Sequence, residues 1–257
     1  MKKVLITGAS GKVGRVLSRT WNGTYDLTLF DVVQSPPTSR GRVLRSDVND
    51  INSVRDSLQG VSVVVHLAIG GNIEDSWEQV APIAFTGTWA VFQAAAEAHC
   101  ERVIFASSVM IDVAPSRPYS ASKLWAEKLA SRYAQLAGLS IICLRLGACA
   151  GYSDPVLSIG SRQLSHVLTY TDMARLFTCA VEAPASLRYG VYYGISNMKH
   201  PRMPMMPTRD ALGFQPGDDV HALAWKSLLR PAGLAGMARR GLRKTWRRLH
   251  GEDDWVD

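Results

Sequence analysis

Hydrophobic and polar positions along this chain follow two periods in turn. Short apolar runs recur, and between them apolar residues return at helical spacing. The first run, Val4-Leu5-Ile6, is followed by Val13, Val16 and Leu17 on one helical face. Further runs lie at 25–31, 42–48, 61–68, 102–108, 140–147 and 189–196. The run at 61–68 is apolar on both faces, as a central parallel strand must be. Helical spacing fills 49–58, 74–99, 119–137 and 171–182. The second of these is expected to break near Pro82, which has no amide hydrogen to give a helix. This alternation predicts an α/β fold with a single doubly wound parallel sheet of Rossmann type. That unit is expected over residues 1–220, with substrate-binding elements mainly in 148–170 and 197–220, and a basic tail over 221–257. No internal repeat or low-complexity segment interrupts it.

Charge changes the picture only at one end. The formal net charge is +7, but eight Lys and Arg residues cluster between Lys226 and Arg248 with no acid among them. Without them, 21 basic residues face 22 acidic ones. From Leu234 onward, Leu234, Ala238, Leu242, Trp246 and Leu249 fall on one helical face. Arg239, Arg240, Arg243, Lys244, Arg247 and Arg248 cover the other. This predicts a basic amphipathic C-terminal helix, packed on its own domain or a homodimer mate, or lying on an anionic membrane surface. No aromatic platform accompanies the charge, so nucleic acid is not expected as a partner. No apolar run is long enough to span a bilayer. The opening Met-Lys-Lys leads into a strand and a glycine turn rather than a signal-peptide core. Cys100, Cys143, Cys149 and Cys179 form no CxxC pair and read as reduced thiols of a cytoplasmic protein.

Candidate chemistry begins where the first strand ends. Gly8, Gly11 and Gly14 fall three apart between that strand and a helix. Such a turn brings backbone N–H groups and a helix N-terminus against a pyrophosphate. Gly8 suits the tight turn, Gly11 the close approach and Gly14 the packing of helix on strand. Asp31 ends the second strand, 17 residues beyond Gly14. A carboxylate there is expected to accept both hydroxyls of the adenosine ribose and to repel a 2′-phosphate, favouring NAD over NADP. The alternatives are an Asp that caps a turn, and a 2′-phosphate site at Arg40 or Arg42. Asp47 and Val48 end the third strand and are candidates for the adenine edge and face. His66 reads as a packed strand histidine. The fifth strand delivers Ser107 and Ser108 to the carboxyl end of the sheet, where ligands bind in this architecture. Tyr119 and Lys123 are four apart and share a helical face. An ammonium beside a phenol favours the phenolate and lowers its pKa from about 10. A tyrosine so tuned can exchange a proton with an alcohol or carbonyl oxygen held by a hydroxyl such as that of Ser108.

Taken together, these motifs resemble the extended-type short-chain dehydrogenases/reductases, the NAD-dependent epimerase/dehydratase family. Thr7-Gly-Ala-Ser-Gly-Lys-Val-Gly14, Asp31, Asp47-Val48, His66-Leu-Ala68, Phe105-Ala-Ser-Ser108 and Tyr119-xxx-Lys123 match in order and spacing over roughly 3–150. The resemblance implies a catalytic set of Ser108, Tyr119 and Lys123. It also implies NAD contacts from Gly8, Ser10, Gly11, Lys12, Val13, Gly14, Asp31, Asp47, Val48, Leu67, Ala68, Ile69, Tyr119 and Lys123, and no metal. The segments 162–176, 193–197 and 212–218 are similar to the uronate dehydrogenase branch, where the arginine matching Arg162 binds the substrate carboxylate. A planar guanidinium suits that task; a solvent-facing loop arginine is the alternative. Three positions depart from that branch: Val109, Met110 and Ala148 stand where polar side chains contact substrate hydroxyls. Ala84 stands where extended enzymes often carry Asn. Buried hydroxyls without partners are costly, so a less polar substrate is expected, still compatible with an acid. The expected reaction is hydride transfer between NAD and a CH–OH/C=O pair. An NAD-retaining epimerase or dehydratase is the alternative enzyme, and a non-catalytic dinucleotide sensor or scaffold the alternative of another class.

Overall fold

Seven parallel strands form the main sheet of the computed structural model: β1 (Lys3–Thr7), β2 (Asp26–Asp31), β3 (Arg42–Arg45), β4 (Val63–His66), β5 (Arg102–Ser108), β6 (Ser140–Leu146) and β9 (Tyr189–Gly194). The structure describes residues 1–33, 41–68, 73–152, 154, 157, 162–198 and 201–228, without the side chains of 162, 163, 227 and 228. Strand order is β3-β2-β1-β4-β5-β6-β9. The order reverses between β1 and β4, and the crevice outside the strand ends at such a reversal is where this architecture binds ligands. Register there aligns Thr7 with His66 and His66 with Phe105. All seven expected runs are strands.

Helices cover both faces. On one face, α1 (Lys12–Thr20) and α7 (Tyr170–Val181) place Leu17, Leu176 and Phe177 against Val4, Ile6 and Val65. On the other, α2 (Ile51–Ser57), α4 (Thr88–Glu97) and α6 (Pro118–Leu136) place Val54, Phe92, Ala126 and Ala130 against Leu5, Val64 and Phe105. The alanines let α6 sit close to the sheet. Asp50 starts α2 by accepting the N–H groups of Asn52 and Ser53. At Pro82 the helix widens rather than breaks: α3 (Trp77–Ala81) passes through a wide helical turn, Pro82–Gly87, into α4 with helical backbone throughout. Gly87 is required in that turn, since a Cβ would meet Val48 Cγ2 at 2.6 Å. Buried Arg102 closes the end of α7 by donating to the carbonyls of Ala180, Ala183 and Pro184.

Several short elements lie outside the periodic pattern: α5 (Met110–Val113), the parallel pair β7 (Ala148–Ala150) and β8 (Val167–Thr169), and α8 (Met206–Leu212). Asp172, fully buried, accepts the N–H groups of Gly217 and Asp218 and so ties the C-terminal segment to α7. A last helix, α9 (Val220–Leu228), crosses position 220 and packs Val220 in a small cluster with Ala150, Leu157 and Val167. The amphipathic helix expected from Leu234 lies outside the described residues. Among the described residues, no helix is long and apolar enough to cross a membrane.

Candidate active site

Outside the carboxyl ends of β1, β4 and β5 runs a groove in two halves, of about 490 Å³ and about 660 Å³, with Gly8, Gly11 and Leu67 bordering both. Gly8 has φ +67, and a Cβ there would meet the Ala68 nitrogen at 2.7 Å. A Cβ at Gly14 would meet Ala9 at 2.6 Å, so this glycine sets how closely α1 packs on the turn. At Gly11, which borders both halves, the nearest atom to a Cβ is the Gly8 carbonyl at 3.3 Å, and the Cβ would intrude on the groove. Beyond it the first amides of α1, from Lys12 onward, have no carbonyl within the helix to bond, and the helix dipole is positive there. Such a donor set fits a pyrophosphate bridging the two halves.

The smaller half is built around Asp31. Its carboxylate accepts Ser10 N–H at 2.8 Å and Val33 N–H at 3.0 Å. These bonds fix its orientation and leave each oxygen a further acceptor site. Asp47 accepts Asn49 N–H at 2.9 Å, and Val48 beside it is buried; Phe30 and Ile83 extend that apolar wall. Arg15 also borders this half. Ile69 and Arg40 lie outside the described residues, and Arg42 begins β3 at an exposed position.

Lys12, Val13, Gly14, Ser108, Tyr119 and Lys123 border the larger half together. The Ser108 hydroxyl accepts Met110 N–H at 3.1 Å, so the start of α5 aims it, and it shares the groove with the Tyr119 side chain. Lys123 is 4% exposed; it donates to the Ala106 carbonyl and lies 5.3 Å from the Tyr119 ring centroid. The expectation that this lysine lowers the phenol's pKa is not met. Burial raises Tyr119 above its ordinary value, with the nearby Ser108 hydroxyl pulling the other way. Burial likewise pushes Lys123 down to about 7, against the pull of Glu127. His66 does not border the groove. It is fully buried, its ring nitrogens 2.7 Å from Thr7 Oγ1 and 3.2 Å from Thr88 Oγ1, and burial holds it at about 3. Among the described residues, no group of three or more His, Cys, Asp or Glu is placed to hold a metal.

Val109, Met110 and Ala148 line the larger half, where the sequence placed them. Arg162 opens a short 3-10 turn, Arg162–His166, and its side chain lies outside the described set. Arg15, Ile83, Cys149 and His166 are among the groove residues that carry no expectation from sequence. Arg15 stands one turn beyond Gly11, a spacing that signals it. Cys149 and His166 arrive through the unforeseen β7 and 3-10 turn. Burial pushes the Cys149 thiol up to about 12, so it is neutral at physiological pH.

A model of the NAD dependent epimerase/dehydratase family matches residues 4–171. The NAD-dependent glucose-6-phosphate dehydrogenase of Haloferax volcanii is 28% identical over 251 residues, covering 84% of this chain and 93% of that one. The uronate dehydrogenase of Pseudomonas syringae pv. tomato is 29% identical over 214 residues, covering 77% and 75%. Among solved structures, uronate dehydrogenase from Agrobacterium tumefaciens superposes with a TM-score of 0.77 at 26% identity, covering 90% of each chain.

Proposed function

The chain belongs to the NAD dependent epimerase/dehydratase family, and on that premise we propose that it moves hydride between NAD and a CH–OH/C=O pair of a small molecule. It is an oxidoreductase related to NAD-dependent dehydrogenases of the extended short-chain type. The observation that carries the proposal is that Ser108, Tyr119 and Lys123 border one half of a groove continuous with the glycine turn. NAD bound in this groove would supply the hydride acceptor for the substrate carbon. The chain does the rest. The turn Gly8–Gly14 holds the pyrophosphate, Asp31 the adenosine ribose, and Asp47 and Val48 the adenine. Ser108 and Tyr119 hold the substrate oxygen. In oxidation Tyr119 as phenolate accepts the hydroxyl proton; in reduction it returns that proton to the carbonyl oxygen. Burial favours the neutral phenol, the form that reduction needs. Lys123, beside the phenol, donates to the nicotinamide ribose.

The substrate elements proposed are 148–170 and 197–220. Val109, Met110 and Ala148 form an apolar flank beside the reacting oxygen and favour a substrate with few hydroxyls there, because hydroxyls buried without partners cost about 1–3 kcal/mol each. Arg162 is the proposed partner of a substrate carboxylate. The test is a screen of uronates, aldoses and less polar hydroxy acids, followed by NADH absorbance. Steady NADH accumulation supports the proposal. Turnover without net NADH points to an NAD-retaining epimerase or dehydratase, and a chain that binds no NAD overturns it.

Cofactor choice gives a separate prediction. Asp31→Ala removes a charged acceptor from the ribose and a repulsive charge from beside Arg15. NAD affinity is expected to fall about tenfold or more while NADP affinity holds or rises. Titrating both dinucleotides against intrinsic fluorescence decides it; a wild type that binds NADP as tightly as NAD would remove Asp31 from this role.

A further inference from the structure

Two consecutive residues at the carboxyl end of β5, Ala106 and Ser107, are held by α6, and the side chains that hold them stand one turn apart. Lys123 donates to the Ala106 carbonyl and Glu127 accepts the Ser107 hydroxyl at 2.6 Å, while Tyr119, one turn before Lys123, borders the groove with Ser108. Residues four apart share a helix face, so these contacts zip the helix to the strand end. Glu127 is 3% exposed, and Arg145 on β6 grips both its oxygens, through Nε at 2.9 Å and Nη2 at 2.8 Å. The same guanidinium reaches Asp112 at 3.1 Å and the Tyr193 hydroxyl at 2.8 Å. Asp112 belongs to α5, the helix whose first N–H aims Ser108.

We propose that Glu127 is a positioning residue of the reaction: it keeps the Ser107–Ser108 strand end in register with Tyr119 and balances the Lys123 ammonium. This rests on the dehydrogenase reading above. Every element packed around Lys123 can be inspected for charge. On α6 stand Tyr119 and Glu127. On β4 stands His66, which burial keeps neutral. On β6 stand Cys143, whose thiol burial pushes well up, and Arg145 beyond Glu127. From β5 come the Ala106 carbonyl and the Phe105 ring. Among the described residues, Glu127 is the carboxylate that opposes the burial of this amine. Removing its charge lets burial push the amine further down, so the lysine loses its proton at lower pH. A glutamate that served packing alone would change thermal stability and leave that titration in place.

The experiment uses the full chain, with NAD as the probe in calorimetric titrations from about pH 6 to about pH 9. Wild-type affinity is expected to decline on the basic side, as Lys123 discharges. In Glu127→Gln, which keeps shape and a hydrogen-bonding oxygen, the decline is expected about one pH unit lower. Glu127→Asp keeps the charge and is expected to retain the wild-type profile. Superimposable profiles for wild type and Glu127→Gln overturn the proposal. Should Glu127→Gln fail to fold, Glu127→Gln/Arg145→Met, which removes the ion pair whole, takes its place in a lysine-selective NMR titration beside wild type. Lys123 titrating lower in the variant than in wild type supports the balance described here, and equal titration overturns it. A wild type that binds no NAD overturns the dehydrogenase reading instead, and the NMR comparison of wild type and Glu127→Gln then tests Glu127 by itself.

Discussion

Tyr119→Phe is expected to lower kcat by about 10²–10⁴-fold, the usual worth of general acid–base assistance. The ring and its packing remain; what disappears is the proton that must move with the hydride. NAD affinity is expected to stay near wild type, because the lost hydroxyl belongs to the proposed pair that holds the substrate oxygen rather than to the dinucleotide turn. Thermal stability is expected to change little, since Tyr119 is half-buried at the groove and water can replace the hydroxyl. Lys123→Ala is expected to behave differently. It removes the charge beside the phenol, the bond to the Ala106 carbonyl and the proposed ribose contact together. Rate and NAD affinity then fall in parallel. Steady-state kinetics on a confirmed substrate, with NAD titrations beside them, separate the two patterns. Full activity in Tyr119→Phe would end the proposed mechanism while leaving the fold untouched.

Why sequence alone reached Tyr119 but misjudged its titration is a matter of range. A tyrosine and a lysine four apart on a helix are a local fact, visible as spacing. The charge of Lys123 is visible too. Burial is not local: it comes from β4, β5 and β6 closing around the lysine and from the groove closing around the phenol. It dominates both groups. Glu127 shows the same divide. Its place one turn beyond Lys123 is plain in the sequence, but its meaning depends on Ser107 from β5 and Arg145 from β6, brought together by strand register. The strands β1, β4, β5 and β6 were legible because parallel strands buried on both faces are nearly continuous apolar runs. The glycine turn was legible because each glycine answers a steric need that only a missing Cβ meets, as Gly8 and Gly14 demonstrate. Pocket walls such as Cys149 and His166 were not, since they arrive on a three-residue strand and a single 3-10 turn.

His66 carries the largest expected effect on stability. Sequence marked it as a packed strand histidine, and the structure places it in the row Thr7–His66–Phe105 with its ring against Phe92 and Phe105. The hydroxyls of Thr7 and Thr88 supply one partner for each ring nitrogen, which suits a neutral imidazole. A proton added there would charge a site closed to water and facing Lys123, and burial with that charge holds the group at about 3. The unfolded chain protonates this histidine near 6.5. Between those values the unfolded state binds the extra proton, so stability is complete above about pH 6.5 and drains as pH falls toward 3. Each unit of separation is worth about 1.4 kcal/mol, so the histidine alone accounts for a loss of about 3 kcal/mol between pH 7 and pH 4. The window of Lys123 lies above pH 7, and carboxylates such as Asp50 and Glu97, held below their ordinary range, act mostly below pH 4. His66→Gln keeps hydrogen-bonding groups in place and does not titrate. It is expected to be less stable than wild type at pH 7, because an amide packs poorly between two phenylalanines. It is also expected to lose less stability on acidification. Denaturant midpoints of both proteins at pH 7 and pH 4 give the comparison. Equal acid losses would mean that the imidazole takes up its proton without opening the core, and that the strand end beneath the groove is less closed than its geometry implies.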